Sequence, residues 1–491
     1  MPRDAPYREF AERLLSRAAG APLLSGNAVE LLIDAEAHFT AWLRAIRGAS
    51  RRVLLENYIV RDDAVGVEFR DALAERARSG VRVAVIVDWL GCLGQSGRRF
   101  WAPLRAAGGE VRVFNPPRLG RSFAWINRDH RKLLVVDGRL GFLSGVCLSA
   151  KWLGDRQYGR PPWRDTGVAL RGPAVAELEQ AFVHSWDALG AAFGETIADP
   201  RSIEAQGEVA LRVIATEPAR AFVYRLDQLV ASMARRTLWL TDAYYVGIAP
   251  YVQTLIGAAR DGVDVRLLVP GTSDVAVVSA LSRSGYRPLL RAGIRVFEWN
   301  GSMLHAKTSV VDGLWARVGS SNLNLSSWLG NLEIDVAIED AGFASRLAER
   351  YETDLQNATE IVLSPRRFRR TGKIHTLDGP PSTRRPAVVK AEHGSSRAAV
   401  DALRLANTVG VALRAHRVLG DTSAAPQLFA SLLLTVVAFI GWRWPRVIAW
   451  PLALLAAWLA LNLAIRRFRE HRRRRHWLRH DAPDTDPPAA P

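Results

Sequence analysis

Two histidines, His130 and His305, each stand two residues before a lysine and seven before an aspartate. The sets are His130, Lys132 and Asp137, then His305, Lys307 and Asp312, at a constant offset of 175 residues. On an extended strand residues i and i+2 share a face, so each set presents an imidazole beside an ammonium. A pair of imidazoles can divide a displacement at phosphorus, one attacking the phosphorus atom and the other protonating the departing oxygen. Two ammonium groups beside them neutralise the phosphate and the charge that develops in the transition state. This chemistry requires no metal, and no His/Cys/Asp spacing suggests one; no cofactor is expected. A lone His-x-Lys on a strand carries little weight. Its recurrence in register on two apolar strands, HRKLLVVD and HAKTSVVD, carries much more.

Further groups fall into place around the pair. After the second set runs Gly319-Ser320-Ser321-Asn322, where small residues let backbone N–H groups approach an anion and Ser320 and Asn322 add side-chain donors for a phosphate. Glu333 follows, a carboxylate able to hold the far ring nitrogen of a catalytic histidine and fix its tautomer. Asp165 (WRDTGVAL) occupies in the first copy the place of Glu333 (NLEIDVAI) in the second.

The elements that must position these groups are themselves repeated. Arg51–Val60 is echoed by Arg235–Val246, Val81–Asp88 by Val263–Pro270, and Pro103–Phe114 by Pro288–Phe297. Short Val/Leu/Ile strands alternate with helical segments such as Val67–Ser79 and Val252–Arg260, which predicts an α/β sandwich with a mixed sheet in each half. Residues 1–204 and 205–363 are the expected halves, sharing one site.

Beyond residue 363 the character changes. Residues 364–425 read as a basic linker followed by an amphipathic helix over Asp401–Leu419. Residues 426–466 read as a transmembrane or re-entrant hairpin: two apolar runs broken by Arg443, Pro445 and Arg446, with Trp442, Trp444 and Trp450 at the break. Residues 467–491 form a basic, then Pro-rich, tail. The chain carries 66 Lys+Arg against 49 Asp+Glu, a net charge of +17. Much of this surplus flanks the apolar runs: nine Lys/Arg against two acids over Ser364–Val400, and eight Arg against Glu470 over Arg466–Arg479. That placement favours an anionic membrane surface over a nucleic-acid groove. Two cysteines, a polar N-terminus and the positive-inside rule place the catalytic halves in the cytoplasm.

The duplicated His-x-Lys-x(4)-Asp motif with its trailing Gly-Ser-x-Asn resembles that of the phospholipase D superfamily. More closely, the chain is similar to the bacterial cardiolipin synthases that lack N-terminal membrane spans. The carrying stretches are NRDHRKLLVVDGRLGFLSG, PPWRDTGVALRGPAV, TDAYYVGIAPYV and MLHAKTSVVDGLWARVGSSNLNLSSWLGNLEIDVAI, within roughly Gly26 to Pro365. The resemblance implies duplicated phospholipase D-like α/β sandwich domains with pseudo-two-fold symmetry, here followed by the C-terminal membrane hairpin. It implies a covalent phosphatidyl-histidine on His130, with His305 as general acid and then base. Lys132, Lys307, Ser320 and Asn322 would hold phosphate, Asp165 and Glu333 would orient the histidines, and Asp137 and Asp312 would be mainly structural. The implied partners are anionic phospholipids, phosphatidylglycerol and cardiolipin, at the bacterial inner membrane; no nucleic acid is expected. The implied reaction joins two phosphatidylglycerols into cardiolipin and glycerol. A phospholipase D-type hydrolase acting on phospholipids is the alternative, and a scaffold with a dead site is argued against by both intact motifs. Two positions depart from the family pattern: Cys147 stands where relatives carry Asn, and Asn324 where many carry Asp.

Overall fold

The computed structural model describes residues 5–116, 127–155, 159–363 and 416–419, with isolated positions at 443 and 457–458. The first half supplies β1 (Leu24–Ile33), β2 (Arg52–Asn57), β3 (Arg82–Asp88), β4 (Glu110–Phe114), β5 (Lys132–Val136), β6 (Leu140–Ser144) and β7 (Thr166–Arg171). The second repeats them as β8 (Val209–Thr216), β9 (Thr237–Thr241), β10 (Asp264–Pro270), β11 (Arg295–Trp299), β12 (Thr308–Val311), β13 (Trp315–Gly319) and β14 (Glu333–Glu339), and adds β15 (Ala358–Leu363).

The two expected mixed sheets are fused into one. Its order is β15-β11-β10-β9-β12-β13-β14-β8-β1-β7-β6-β5-β2-β3-β4, which mirrors itself about the β8–β1 junction once each second-half strand is matched to its first-half counterpart. In each half the first three strands of the βαβ run are parallel and the hairpin strand that follows the histidine is antiparallel to them. The halves join edge to edge, β1 pairing antiparallel with β8 through Leu24↔Leu211 and Asn27↔Val209. The central strands are buried on both faces, which is why VRVAVIVD reads as an unbroken apolar run rather than an alternation.

Helices cover both faces. On one, α2 (Asp34–Arg47), α3 (Ala64–Arg78) and α4 (Ala102–Ala106) close the core of the first half. Counterpart helices α6 (Phe222–Met233), α7 (Ala249–Arg260) and α9 (Tyr286–Arg291) close that of the second, with α8 (Ala276–Ser284) between α7 and α9 in sequence. On the other face α5 (Ala174–Leu189) and α10 (Ala341–Gln356) lie over a single core drawn from both halves, in which Leu178 and Phe182 join Val213, Val336 and Phe343. The N-terminal helix α1 (Ala5–Ala19) precedes the first half in sequence but packs on α6, with Leu15 and Ala19 in the second half's core. The connection from α5 to β8 contains the expected boundary near residue 204.

At the sheet edge His416–Leu419 form a further strand, β16, parallel to β15. The amphipathic helix expected over Asp401–Leu419 is therefore replaced by strand at its last four residues, where free backbone groups of an edge strand recruit them. The rest of that segment and, apart from the isolated positions 443 and 457–458, the hairpin expected over 426–466 lie outside the described residues. Among the described residues no helix is long and apolar enough to cross a membrane.

Asp137 and Asp312 occupy the hairpin turns β5–β6 and β12–β13 with φ of 57° and 55°, each followed by a glycine with φ of 68°. Asp and Gly tolerate that region. The Asp137 carboxylate accepts the backbone N–H groups of Ser50, Arg51 and Arg52, and Asp312 those of Arg235, Arg236 and Thr237. These motif aspartates thus fasten the starts of β2 and β9, at the end of the sheet away from the histidines.

Candidate active site

His130 lies two residues before β5 and His305 three before β12, and the backbone of each is held by the opposite half. His130 donates its N–H to Leu332 O at 2.9 Å while Leu332 N–H returns to Arg128 O at 2.8 Å. His305 donates to Arg164 O at 2.7 Å and Arg164 N–H returns to Met303 O at 3.0 Å. The residue after Leu332 is Glu333, and the residue after Arg164 is Asp165. Each bridge therefore delivers one half's carboxylate to the other half's ring. Glu333 Oε2 and Oε1 lie 2.9 and 3.1 Å from His130 Nδ1, and Asp165 Oδ2 lies 2.8 Å from His305 Nδ1. With both carboxylates fully buried, each Nδ1 carries its proton as a donor and each Nε2 keeps its lone pair toward the site.

The carboxylates are anchored in different ways. Ser320 Oγ donates to Glu333 Oε2 at 2.6 Å, and Asn331 Nδ2 to Oε1 at 3.2 Å. Asp165 Oδ2 instead accepts Trp152 Nε1–H at 3.0 Å, and its Oδ1 accepts the Thr166 N–H at 2.9 Å. Gly145 stands in the first half where Ser320 stands in the second, and a Cβ there would lie 2.3 Å from Asp165 Oδ1. Ser320, expected as a phosphate donor, thus spends its hydroxyl proton on Glu333. Asn322 is buried, and its side-chain oxygen, an acceptor, has no partner among the described residues. Its first-half counterpart Cys147 is equally buried, in a position where the Lys132 charge acts on the thiol.

Lys132 and Lys307 are fully buried. Lys132 Nζ donates to His130 O at 2.6 Å, and Lys307 Nζ to His305 O. Lys307 Nζ also lies 3.0 Å from His305 Nδ1, but that nitrogen already donates to Asp165, so this approach is a charge effect and not a hydrogen bond. Burial lowers both lysines, Lys307 to about 8. Burial also lowers both histidines; with Lys307 beside it, His305 falls to about 4 despite Asp165. Burial alone would raise the two carboxyls, yet His305 and Lys307 hold Asp165, and His130 and Lys132 hold Glu333, below the ordinary carboxylate values. Lys307 acts on His130 and Lys132 on His305, so the two lysines and two histidines belong to one site. The two buried ammonium groups are a charge complement for a phosphodiester anion.

Several residues here escaped sequence reasoning. Tyr58 sets its ring edge-on to His130 at 4.9 Å, with Lys132 Nζ over it at 5.1 Å. Tyr244 does the same for His305 at 5.7 Å, with Lys307 at 5.9 Å. The signal was present in the repeated stretches ending NYIV and AYYV. Trp152 and Trp163 add two more walls to His305, at 5.4 and 5.7 Å. Asp63, which caps α3 through Gly66 N–H, uses its second oxygen to hold Ser149 Oγ and Ala150 N–H, fixing the turn that carries Trp152.

A family model described as "Cardiolipin synthase, PLD-like domain" matches residues 42–157 and 230–355, the two segments that contain the histidines. The chain is 34% identical over 360 residues to cardiolipin synthase A of Pseudomonas aeruginosa (strain LESB58), covering 72% of each chain. It is 32% identical over 365 residues to the cardiolipin synthase of Geobacillus kaustophilus, covering 73% of this chain and 72% of that one. Among solved structures, phosphatidylserine synthase of Haemophilus influenzae Rd KW20 shares the fold with a TM-score of 0.53 at 14% identity, over 71% of this chain and 91% of that one.

Proposed function

The chain belongs to the cardiolipin synthase family of phospholipase D-like enzymes, and on that premise we propose that it joins two phosphatidylglycerols into cardiolipin and glycerol through a phosphatidyl group carried on His130. The observation that carries this reading is the crossed arrangement of ring and carboxylate. It leaves two Nε2 atoms, one from each half, for a single phosphodiester.

Both lysines and Asn322 hold the phosphate of the first phosphatidylglycerol. His130 Nε2 attacks phosphorus, the bond to the glycerol oxygen breaks, and His305 Nε2–H protonates that oxygen. His305 must hold a proton at that moment. The phosphate anion favours that proton, against the burial and the Lys307 charge that lower the ring. In the second step the hydroxyl of another phosphatidylglycerol gives its proton to His305, its oxygen attacks phosphorus, and the P–N electron pair returns to His130. Glu333 and Asp165 stay ionised and stabilise whichever ring is cationic.

The acyl chains of such substrates keep the work at a bilayer, here taken as the cytoplasmic face of the bacterial inner membrane. The basic and apolar stretch beyond residue 425 supports attachment there. Deleting 428–491 should release the protein from membranes, and unchanged association would refute that attachment.

Purified protein incubated with labelled phosphatidylglycerol vesicles should form cardiolipin and glycerol. Phosphatidic acid appearing without cardiolipin would overturn the transferase reading. His130→Ala should abolish the trapped lipid adduct, whereas an adduct that survives there and disappears in His305→Ala would exchange the two roles.

A further inference from the structure

The two histidines do not share the same surroundings. Around His130 the only ring neighbour among the described residues is Tyr58. Around His305 stand Trp152, Trp163 and Tyr244, two from one half and one from the other. The cage is tied on its outer side. Tyr244 OH donates to Asp274 Oδ1 at 2.7 Å, and Lys151 Nζ approaches Asp274 Oδ2 at 3.3 Å while lying 4.3 Å over the Trp163 ring. Lys151 precedes Trp152 in the first half, whereas Asp274 follows β10 in the second. One carboxylate therefore gathers walls from both halves around one ring.

We infer that the aromatic cage held by Asp274 steers the second step toward an alcohol acceptor and away from water, with Tyr244 and Asp274 as the residues that set the ratio. This rests on the phosphatidyl-transfer reading above. Both acceptors follow the same bookkeeping: O–H gives its proton to His305, the oxygen bonds to phosphorus, and the P–N pair returns to His130. They differ in how they are held. An attacking water needs two to four polar partners to stay in place, and two of the polar protons of this wall are already used. Trp152 Nε1–H is donated to Asp165 and the Tyr244 hydroxyl proton to Asp274. An alcohol on a lipid glycerol brings carbon surface that packs on the rings and is held by its own tail.

The tie is weak in its exposed part. Lys151 and Asp274 side chains are 41% and 31% exposed, so the ion pair adds little alone. The hydrogen bond from Tyr244 to a carboxylate is the stronger link. Tyr244→Phe keeps the ring but frees it, Asp274→Ala frees both partners, and Lys151→Ala removes the outer ion pair and the ammonium over Trp163.

The test measures the ratio of phosphatidic acid to cardiolipin released from labelled phosphatidylglycerol vesicles by the full chain. Tyr244→Phe and Asp274→Ala should raise that ratio roughly three- to tenfold, about 0.65–1.4 kcal/mol of discrimination between acceptors. Lys151→Ala should change it less than twofold, and Asp274→Glu should restore it. A merely structural role would lower total turnover and leave the ratio where it was, which would overturn the cage. A wild-type protein that releases only phosphatidic acid would overturn the transferase reading and the cage together. A wild-type protein making cardiolipin, with an unmoved ratio in both variants, would overturn the cage alone.

Discussion

Replacing Glu333 by Gln keeps the shape of the side chain and removes its charge. The carboxylate accepts from three donors in a fully buried position: His130 Nδ1, which lies within reach of both oxygens, Ser320 Oγ and Asn331 Nδ2. Glutamine retains one acceptor oxygen and turns the other into an NH2 group. That group must face either the Asn331 amide, a donor, or Ser320 Oγ, which would have to reverse its hydrogen bond. As His130 bonds to phosphorus its ring becomes cationic, so the lost charge is felt in the transition state more than in the bound substrate. Hydrogen bonds to charged groups contribute roughly 1.5–3 kcal/mol, so adduct formation should slow roughly 10- to 150-fold, with KM little changed. The measurement is single-turnover mixing with labelled phosphatidylglycerol, quenched into alkaline denaturant, where a phosphorus–nitrogen bond survives. Adduct forming within about threefold of the wild-type rate, in a variant that melts as the wild type does, would refute the assignment of Glu333 to His130.

Ser320→Ala removes one donor to Glu333 and should cost about 1 kcal/mol, near fivefold in the same single-turnover rate; an unaltered rate would return Ser320 to the direct phosphate contact read from sequence. Gly145→Ala places a Cβ 2.3 Å from Asp165 Oδ1 and should pull that carboxylate off His305. Cardiolipin formation then falls while a phosphodiester with an acidic phenol as leaving group, which needs no general acid, still forms adduct; loss of both reactions would point to global damage. The pH profile of kcat/KM should rise as His130 loses its proton, with a midpoint below the ordinary 6.5 because burial lowers it. It should fall as Lys307 loses its proton near 8, since the ammonium is present below that value and absent above it. Lys307→Arg should move the alkaline limb upward, and an alkaline limb that stays put would dissociate it from Lys307.

The histidines and lysines were legible because duplication printed each of them twice at one offset, and the carboxylates because Asp165 and Glu333 stand at the starts of matching strands, β7 and β14. The apolar runs around them gave the α/β strands for the same reason that buried strands are apolar on both faces. Pairing across the axis was not legible. Glu333 and Asp165 occupy matching places in their own repeats, and nothing in a linear pattern says that each serves the ring of the other half. The same limit hid α1, whose amphipathic face fits either half and in the event covers α6. Ser320 was read as a phosphate donor because its position between small residues suits that role. Its hydroxyl turns instead to the buried carboxylate 2.6 Å away, a fully desolvated acceptor that outcompetes a ligand present only part of the time. The cage around His305 was out of reach because Trp152 and Trp163 come from the turn region between β6 and β7, where sequence spacing constrains direction least.

The edge-to-edge junction of β1 and β8 has the form of an interface between two identical subunits. In a true homodimer every substitution would appear on both sides of the axis. A serine placed to brace one carboxylate would brace its twin as well, and a tryptophan crowding one imidazole would crowd both. Carrying the two copies on one chain removes that constraint. Ser320 could remain while its counterpart became Gly145, and Asn322 could remain while its counterpart became Cys147. The backbone kept its mirror order while the two imidazoles became chemically unlike neighbours, the condition for one to hold the phosphatidyl group while the other selects what receives it.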